Sequence, residues 1–514
     1  MFPLLLVAIA AIDLAGTWAP KQAGFGPGGN TLLRFQQKDG RFEGVSIGGM
    51  MGESPIREVT IIGDDISFVV RTTLGGEEMR MKWSGKIEGE ELVLKVQMPA
   101  GLGPPPPPGG LGGAGPPGGP REMRFHKLTA EDLAAREAAR LKPMPLPARR
   151  VLAWNGLAAT PPMGWNSYNA FRNTVTDTQI REVADAMVSS GMKAAGYEYV
   201  VIDDGWQGER DSRGRLQPNA KFPTMKALAG YVHAKGMKIG LWATPGPRAC
   251  SPAYAGSYGH EKEDAEQWAE WGMDFIKFDW CSAGEIYSKE QQPLVYQKQA
   301  ELLRATGRPM LFSICQYGDN KVAEWAAAAG GNMWRTTFDI RDTWQSMSSI
   351  GFRQGEVAQY AGAGHWNDLD MLEVGNGGMS NDEYRTHFSL WAMASAPLMA
   401  GNDVRKMSPA TIDILLNKEI IAIDQDPLGV AGRPIYKKGE QEIWTKTLAG
   451  GAIAVAFFNR MDDPTTMKVN WERLKITGDY KVRDLWSREN LPVANGVLQV
   501  NVHRHGVVVL RLSK

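Results

Sequence analysis

Carboxylates and cations recur at the ends of short apolar runs through the middle of this 514-residue chain. Phe275-Ile-Lys-Phe leads into Asp279, Trp280 and Cys281. Apolar runs of this length, bounded by polar residues, read as buried parallel strands. Side chains alternate along a strand, so Lys277 and Asp279 share a face. Taking both out of water is costly unless they are paired or put to use. A structural ion pair and a reactive site are both open readings of that pair alone. Three more runs repeat the pattern. One ends in Asp203-Asp204, one carries Arg335, Thr337 and Asp339 on a single alternating face, and one ends in Asp368 and Asp370.

A mouth so rich in carboxylates, with two cations, suits few reactions. Metal-assisted hydrolysis usually recruits histidine, but the chain has 7 His, with His365 alone at a strand end and no pair at ligand spacing. No metal and no cofactor is therefore expected. Phosphoryl transfer lacks a phosphate-binding loop. Glycoside hydrolysis needs two carboxyl groups across a sugar, polar groups for its hydroxyls and an aromatic floor. This mouth can supply all of them.

The elements that must position these residues follow from periodicity. From about residue 155, strand-like and helix-like runs alternate, which argues for parallel βα units. Helical patterns cover Thr178–Ser190, Thr224–Lys235, Glu261–Trp271, Gln292–Ala305, Lys321–Ala329 and Asn381–Ala394. About eight such units fit a (β/α)8 TIM barrel better than an open doubly wound sheet, and its active site is expected at the carboxyl ends of the strands. The expected organisation is multidomain, with this catalytic barrel at residues 153–427 between two β domains. Residues 13–128 read as an N-terminal all-β, barrel-like domain of about eight strands, with a Pro/Gly-rich insert at 100–120. A helical and Pro-rich linker spans 129–152. Residues 428–514 read as a C-terminal antiparallel β-sandwich.

The 57 basic and 57 acidic residues balance, so no field favours nucleic acid. Residues 1–12, MFPLLLVAIAAI, are apolar, too short to span a bilayer, and contain an A-x-A site. They read as a signal peptide, with a hydrophobic first strand as the alternative. A secreted or periplasmic protein is expected, with no membrane span in its mature form. Cys250, Cys281 and Cys315 suggest one disulfide and one free thiol in an exported chain, and spacing alone does not choose the pair.

Six stretches, in order, carry a resemblance. They are Thr160-Pro-Pro-Met-Gly-Trp-Asn-Ser-Tyr-Asn, Ile202-Asp-Asp-Gly-Trp, Lys277-Phe-Asp-Trp-Cys, Trp334-Arg-Thr-Thr-Phe-Asp, Trp366-Asn-Asp-Leu-Asp-Met and Ile423-Asp-Gln-Asp-Pro-Leu-Gly. From about Ala159 onward the chain resembles family 27 glycoside hydrolases, the melibiase-type α-galactosidases and α-N-acetylgalactosaminidases. The resemblance does not cover residues 1–150. It implies Asp279 as nucleophile and Asp339 as general acid/base of a retaining reaction. Such a pair stands roughly 5–5.5 Å apart. Lys277 beside Asp279 should favour the ionised nucleophile, whereas Arg335 opposes the proton that Asp339 must carry as the acid. The resemblance further implies Asp203 and Asp204 at the 4- and 6-hydroxyls, Lys277 at the 3- and 4-hydroxyls and Arg335 near the 2-position. Trp165, Tyr168 and Trp242 are expected substrate contacts, the last two as aromatic walls. It also implies a Cys250–Cys281 bridge.

The chain departs from the family pattern at three of these places. Tyr168 replaces a frequent Trp, Gly205 stands where several relatives have Cys, and Gln316 replaces a Glu common in α-galactosidases. A large Gln316 favours a 2-hydroxyl over an acetamido group. The expected function is therefore an exported retaining α-galactosidase acting on terminal α-D-galactosyl residues of a galactoside or oligosaccharide. The alternatives are an α-N-acetylgalactosaminidase or β-L-arabinopyranosidase on the same fold, and a non-catalytic carbohydrate-binding protein. A homodimer is one assembly the resemblance allows.

Overall fold

The computed structural model describes residues 14–21, 31–48, 53–74, 77–97, 122–251 and 253–514. The expected signal peptide and the whole of the Pro/Gly-rich insert lie outside the described residues. Two compact units are present, divided near Lys142 and Pro143.

The first unit is a closed antiparallel barrel of eight strands in sequence order. Its strands alternate as period-2 patterning demands: in Leu32–Lys38, Leu33 and Phe35 are buried while Arg34 and Gln36 are exposed. The ring closes where Gly16–Pro20 pairs with Glu122–Lys127, Trp18 opposite Lys127. Phe35, Phe68, Trp83 and Phe125 fill the interior, with Phe68 and Trp83 stacked at 5.8 Å. A helix follows at Ala130–Ala139, started by a capping box between Thr129 and Asp132.

In the second unit eight short strands run parallel: Met163–Asn166, Tyr199–Ile202, Lys238–Ala243, Phe275–Phe278, Leu311–Ile314, Met333–Arg335, Trp366–Asp368 and Leu398–Ala400. The first seven pair in sequence order, and the eighth pairs with the first, Leu398 beside Met163, but not with the seventh. Two backbone hydrogen bonds close the ring between the seventh and eighth: Leu372 N–H to Met399 O at 2.7 Å and Gly401 N–H to Leu372 O at 2.9 Å. The outer helices are amphipathic. Asp177–Ser189 buries Ile180, Val183, Ala184 and Met187, a 3.6-period stripe, and starts on a Thr176–Gln179 capping box.

One expected helix is absent. Over Lys321–Ala329 the chain forms short 3-10 and turn structure, Asp319–Glu324, because Asn320 and Lys321 take left-handed φ of 52° and 51°. A helical i→i−4 ladder cannot run through that geometry.

The C-terminal part packs a six-stranded antiparallel sheet against the pair Thr465–Asn470 and Val497–Val502. Val455, Phe457, Leu510 and Leu512 from one side meet Met467, Val469 and Leu498 from the other. This is the sandwich expected from alternating apolar positions. Among the described residues no helix is long and apolar enough to cross a membrane.

Candidate active site

Strand ends bring the polar residues together. Asp279 follows the fourth strand and is 3% exposed. Its Oδ2 accepts the indole N–H of Trp242, on the third strand, at 3.0 Å. Its Oδ1 accepts the phenol of Tyr317 at 2.6 Å and the backbone N–H of Trp280 at 2.7 Å. Burial pushes the Asp279 carboxyl up, while the Lys277 charge and the Tyr317 hydrogen bond pull it back without cancelling the rise.

Lys277 does not donate to Asp279. Its Nζ bonds Asp203 Oδ2 at 2.8 Å, an oxygen that also accepts Asn166 Nδ2 at 2.8 Å. Burial works against the ammonium, but the charge of Asp203 holds it well above its usual range. Asp203 Oδ1 accepts the backbone N–H of Asp204 at 2.9 Å. Asp204 in turn accepts Ser251 N–H at 2.7 Å on Oδ2, while its Oδ1 is buried with no partner. Burial pushes Asp204 up to about 7, against the pull of that Ser251 hydrogen bond.

On the sixth strand Arg335, 2% exposed, donates from Nη2 to Asp339 Oδ1 at 3.0 Å and stands 3.1 Å from Asp370 Oδ2. Asp339 is the open member of the pair, its side chain 48% exposed. Burial raises Asp370 against the pull of Arg335, and it raises Asp368 to about 6. Tyr168 opens the short helix Tyr168–Phe171 beneath the guanidinium of Arg172, 5.0 Å from its ring. Burial, then the charges of Asp339 and Asp203, push its phenol up to about 12. Gln316 is buried, its Nε2 tied to Asp319 O and its Oε1 without a partner.

Trp165 is the exception among the expected contacts. Neighbours on a strand face opposite ways, and Asn166 is the one that reaches Asp203. Trp165 is fully enclosed, with its indole N–H on Asn402 O at 2.7 Å and its ring against Phe171.

Cys250 and Cys281 form a disulfide with Cα atoms 5.1 Å apart, and Cys315 is a buried free thiol. The sulfurs of Cys250 and Cys281 lie with an Asp279 oxygen within 4.8 Å of one another. Bonded to each other, they offer no thiolate to a metal.

Sequence reasoning missed Tyr317 and Asn166. Tyr317 lies three residues past the fifth strand, inside the turn where Gln316 was singled out. Asn166 ends the first strand, where its alternation with Trp165 was the available signal.

A ring of parallel strands whose carboxyl ends gather two differently held carboxylates and several buried, unpartnered polar groups defines a glycoside hydrolase. A family model described as α-galactosidase A matches residues 160–426, and one for the α-galactosidase C-terminal β-sandwich domain matches residues 438–512. The α-galactosidase A of Cellvibrio japonicus is 47% identical, over 70% of this chain and 93% of its own. The α-galactosidase of Cyamopsis tetragonoloba is 44% identical, over 70% and 87%. The crystal structure of α-galactosidase I from Mortierella vinacea superposes with a TM-score of 0.69 at 35% identity, covering 70% of this chain and 99% of that one. The chain belongs to the melibiase family of α-galactosidase-type glycoside hydrolases, family 27.

Proposed function

We propose that this chain hydrolyses terminal α-D-galactosides with retention of configuration. The observation that carries the reading is the contrast between its two carboxylates. Asp279 is buried and accepts three hydrogen bonds, while Asp339 is open and reaches a single guanidinium. Carboxyl groups in such different surroundings suit different roles. In the first step Asp279 attacks the anomeric carbon, and Asp339 gives its proton to the departing glycosidic oxygen. In the second, water attacks that carbon, Asp339 takes a water proton, and Asp279 leaves as a carboxylate.

Asp204 Oδ1 and Gln316 Oε1, buried acceptors without partners, are suited to sugar hydroxyls. An analogue that leaves such an acceptor unpaired loses about 1–3 kcal/mol. The bulk of Gln316 favours a 2-hydroxyl over an acetamido group. Asp203, Lys277 and Arg335 complete the polar wall, and Tyr168 and Trp242 the aromatic one. The apolar start of the chain and the disulfide support export.

The test is the initial rate on aryl α-D-galactopyranoside and aryl α-N-acetyl-D-galactosaminide, for wild type and Asp279→Asn, with the first-formed anomer read by NMR. Turnover of the galactoside to α-galactose, lost in Asp279→Asn, is expected. Turnover of the acetamido sugar alone would overturn the reading of Gln316. Release of β-galactose would overturn double displacement.

A further inference from the structure

The two oxygens of Asp279 are held unequally. Oδ1 accepts two donors, Tyr317 at 2.6 Å and Trp280 N–H at 2.7 Å, whereas Oδ2 accepts one, Trp242 at 3.0 Å. A carboxylate oxygen has two lone pairs in its plane. Oδ1 is therefore filled, and Oδ2 keeps a free pair. We propose that Tyr317 is a positioning residue that turns Oδ2 toward the anomeric carbon and holds the charge that returns to Oδ1 when the sugar is released. This rests on the double-displacement reading above.

The surroundings of Tyr317 are built to fix its hydroxyl. The residue is 4% exposed and has a left-handed φ of 64°. Non-glycine residues hold that conformation only where neighbours over-determine it, and such places cluster at functional sites. Gly318 follows at φ 75°, and a Cβ there would meet Thr336 O at 2.1 Å. The turn is thus pressed onto the segment that carries Asp339. The Tyr317 ring lies 5.5 Å from that of Phe338, the residue before Asp339. Its hydroxyl sits 3.5 Å from the sulfur of Cys281 and 3.6 Å from that of Cys250.

The role is largest in the second half of the reaction. Water attacks the anomeric carbon, the bond from that carbon to Oδ2 breaks with its electron pair going to Asp279, and the water proton passes to Asp339. The departing carboxylate shares its charge with Oδ1, where Tyr317 donates. Hydrogen bonds to charged groups are the strong ones. Without the donor, release slows and the glycosyl-enzyme accumulates.

The charges of Lys277 and Asp339 bear on Asp279, Asp204 feels its charge in turn, and that charge helps keep Cys315, Tyr296 and Tyr317 protonated and neutral. Tyr317 is among those that lower the Asp279 carboxyl. Tyr317→Phe keeps the ring and removes the donor. On an activated aryl α-galactoside its kcat should fall about tenfold to a hundredfold. KM should fall with it, with a burst of phenol and an acidic limb of kcat/KM at higher pH. Site-specific 3,5-difluorotyrosine at position 317 keeps shape and fold with a more acidic hydroxyl, and should move the limb to lower pH.

A Tyr317→Phe enzyme with wild-type kcat and KM overturns the proposal. So does a loss of kcat with unchanged KM and an unmoved acidic limb in both variants, which is the mark of a merely structural residue. If wild type itself fails on the galactoside, the functional reading fails instead. Activity in wild type, lost in Asp279→Asn and unchanged in Tyr317→Phe, sinks this inference alone.

Discussion

Lys446 stands in the strand Gln441–Thr447, 1% exposed, and its removal should stabilise the protein at pH 6 and destabilise it above pH 10. Its Nζ donates to Ala392 O at 3.0 Å and to Ser395 Oγ at 2.7 Å. Neither partner depends on it. Ala392 O also accepts Ser395 N–H at 3.3 Å, and Ser395 Oγ donates to Val430 O at 3.3 Å. Burial pulls the ammonium down from 10.5 to about 8, against the charges of Asp424 and Asp426. Carrying its charge in the fold below that pH costs about 3 kcal/mol. Lys446→Met removes this cost and loses a neutral hydrogen bond of about 1 kcal/mol. A net gain of about 2 kcal/mol at pH 6 follows, a rise in Tm of about 2–3 °C for a unit of this size.

The direction with pH is fixed by proton counts. Between about 8 and 10.5 the unfolded chain binds more protons at Lys446, so wild type gains stability there as pH rises. Burial raises Asp424 from 3.8 to about 8, so between those values the folded chain binds more protons, and stability falls as pH rises. Lys446→Met should lose the upper gain and keep the lower fall. Thermal unfolding of both proteins at pH 6, 8 and 10.5 decides it. A variant less stable than wild type at pH 6, or one with the wild-type profile above pH 8, refutes the reasoning.

Asp204, lifted to about 7, offers an ionised acceptor only above that pH. Galactose affinity measured by calorimetry should weaken about tenfold at one unit below it, and Asp204→Asn should be weak and flat; an affinity that rises as pH falls excludes the role. Gly318→Ala puts a methyl 2.1 Å from Thr336 O at φ 75°, so it should lower Tm by several degrees and kcat by at least about tenfold. Wild-type values in that variant would show that the turn is not tightly held.

Much of the architecture was legible because burial imposes patterns on sequence. Glu261–Trp271, Gln292–Ala305 and Asn381–Ala394 are helices at the ends that periodicity suggested. Carboxylates at strand ends were visible since apolar runs stop there. Lys321–Ala329 misled because an alanine-rich stretch has helical composition, while the left-handed Asn320 and Lys321 at its start depend on packing. Tyr317 was hidden for a similar reason: a turn's direction is set by what it rests on, here Gly318 against Thr336. The Ile423–Gly429 stretch read as a family signature, yet its polar groups build a joint. Asp426 accepts Ala449 N–H at 3.1 and 3.0 Å, and Gln425 Nε2 bonds Pro161 O at 2.8 Å.

The two bonds through Leu372 make the central barrel a split ring whose gap falls between the seventh and eighth strands. A split ring flexes at its gap and is stiffest opposite it. The point opposite lies between the third and fourth strands, which carry Trp242 and Asp279. Asp370, just past the seventh strand, lies at the gap, while Tyr168 follows the first strand, with the eighth strand between it and the gap. Breathing of the ring should therefore move the segment around Asp370 more than the strand that leads into Asp279. Amide exchange at Leu372 and Gly401 should outpace that of the Ile276 and Phe278 amides by orders of magnitude.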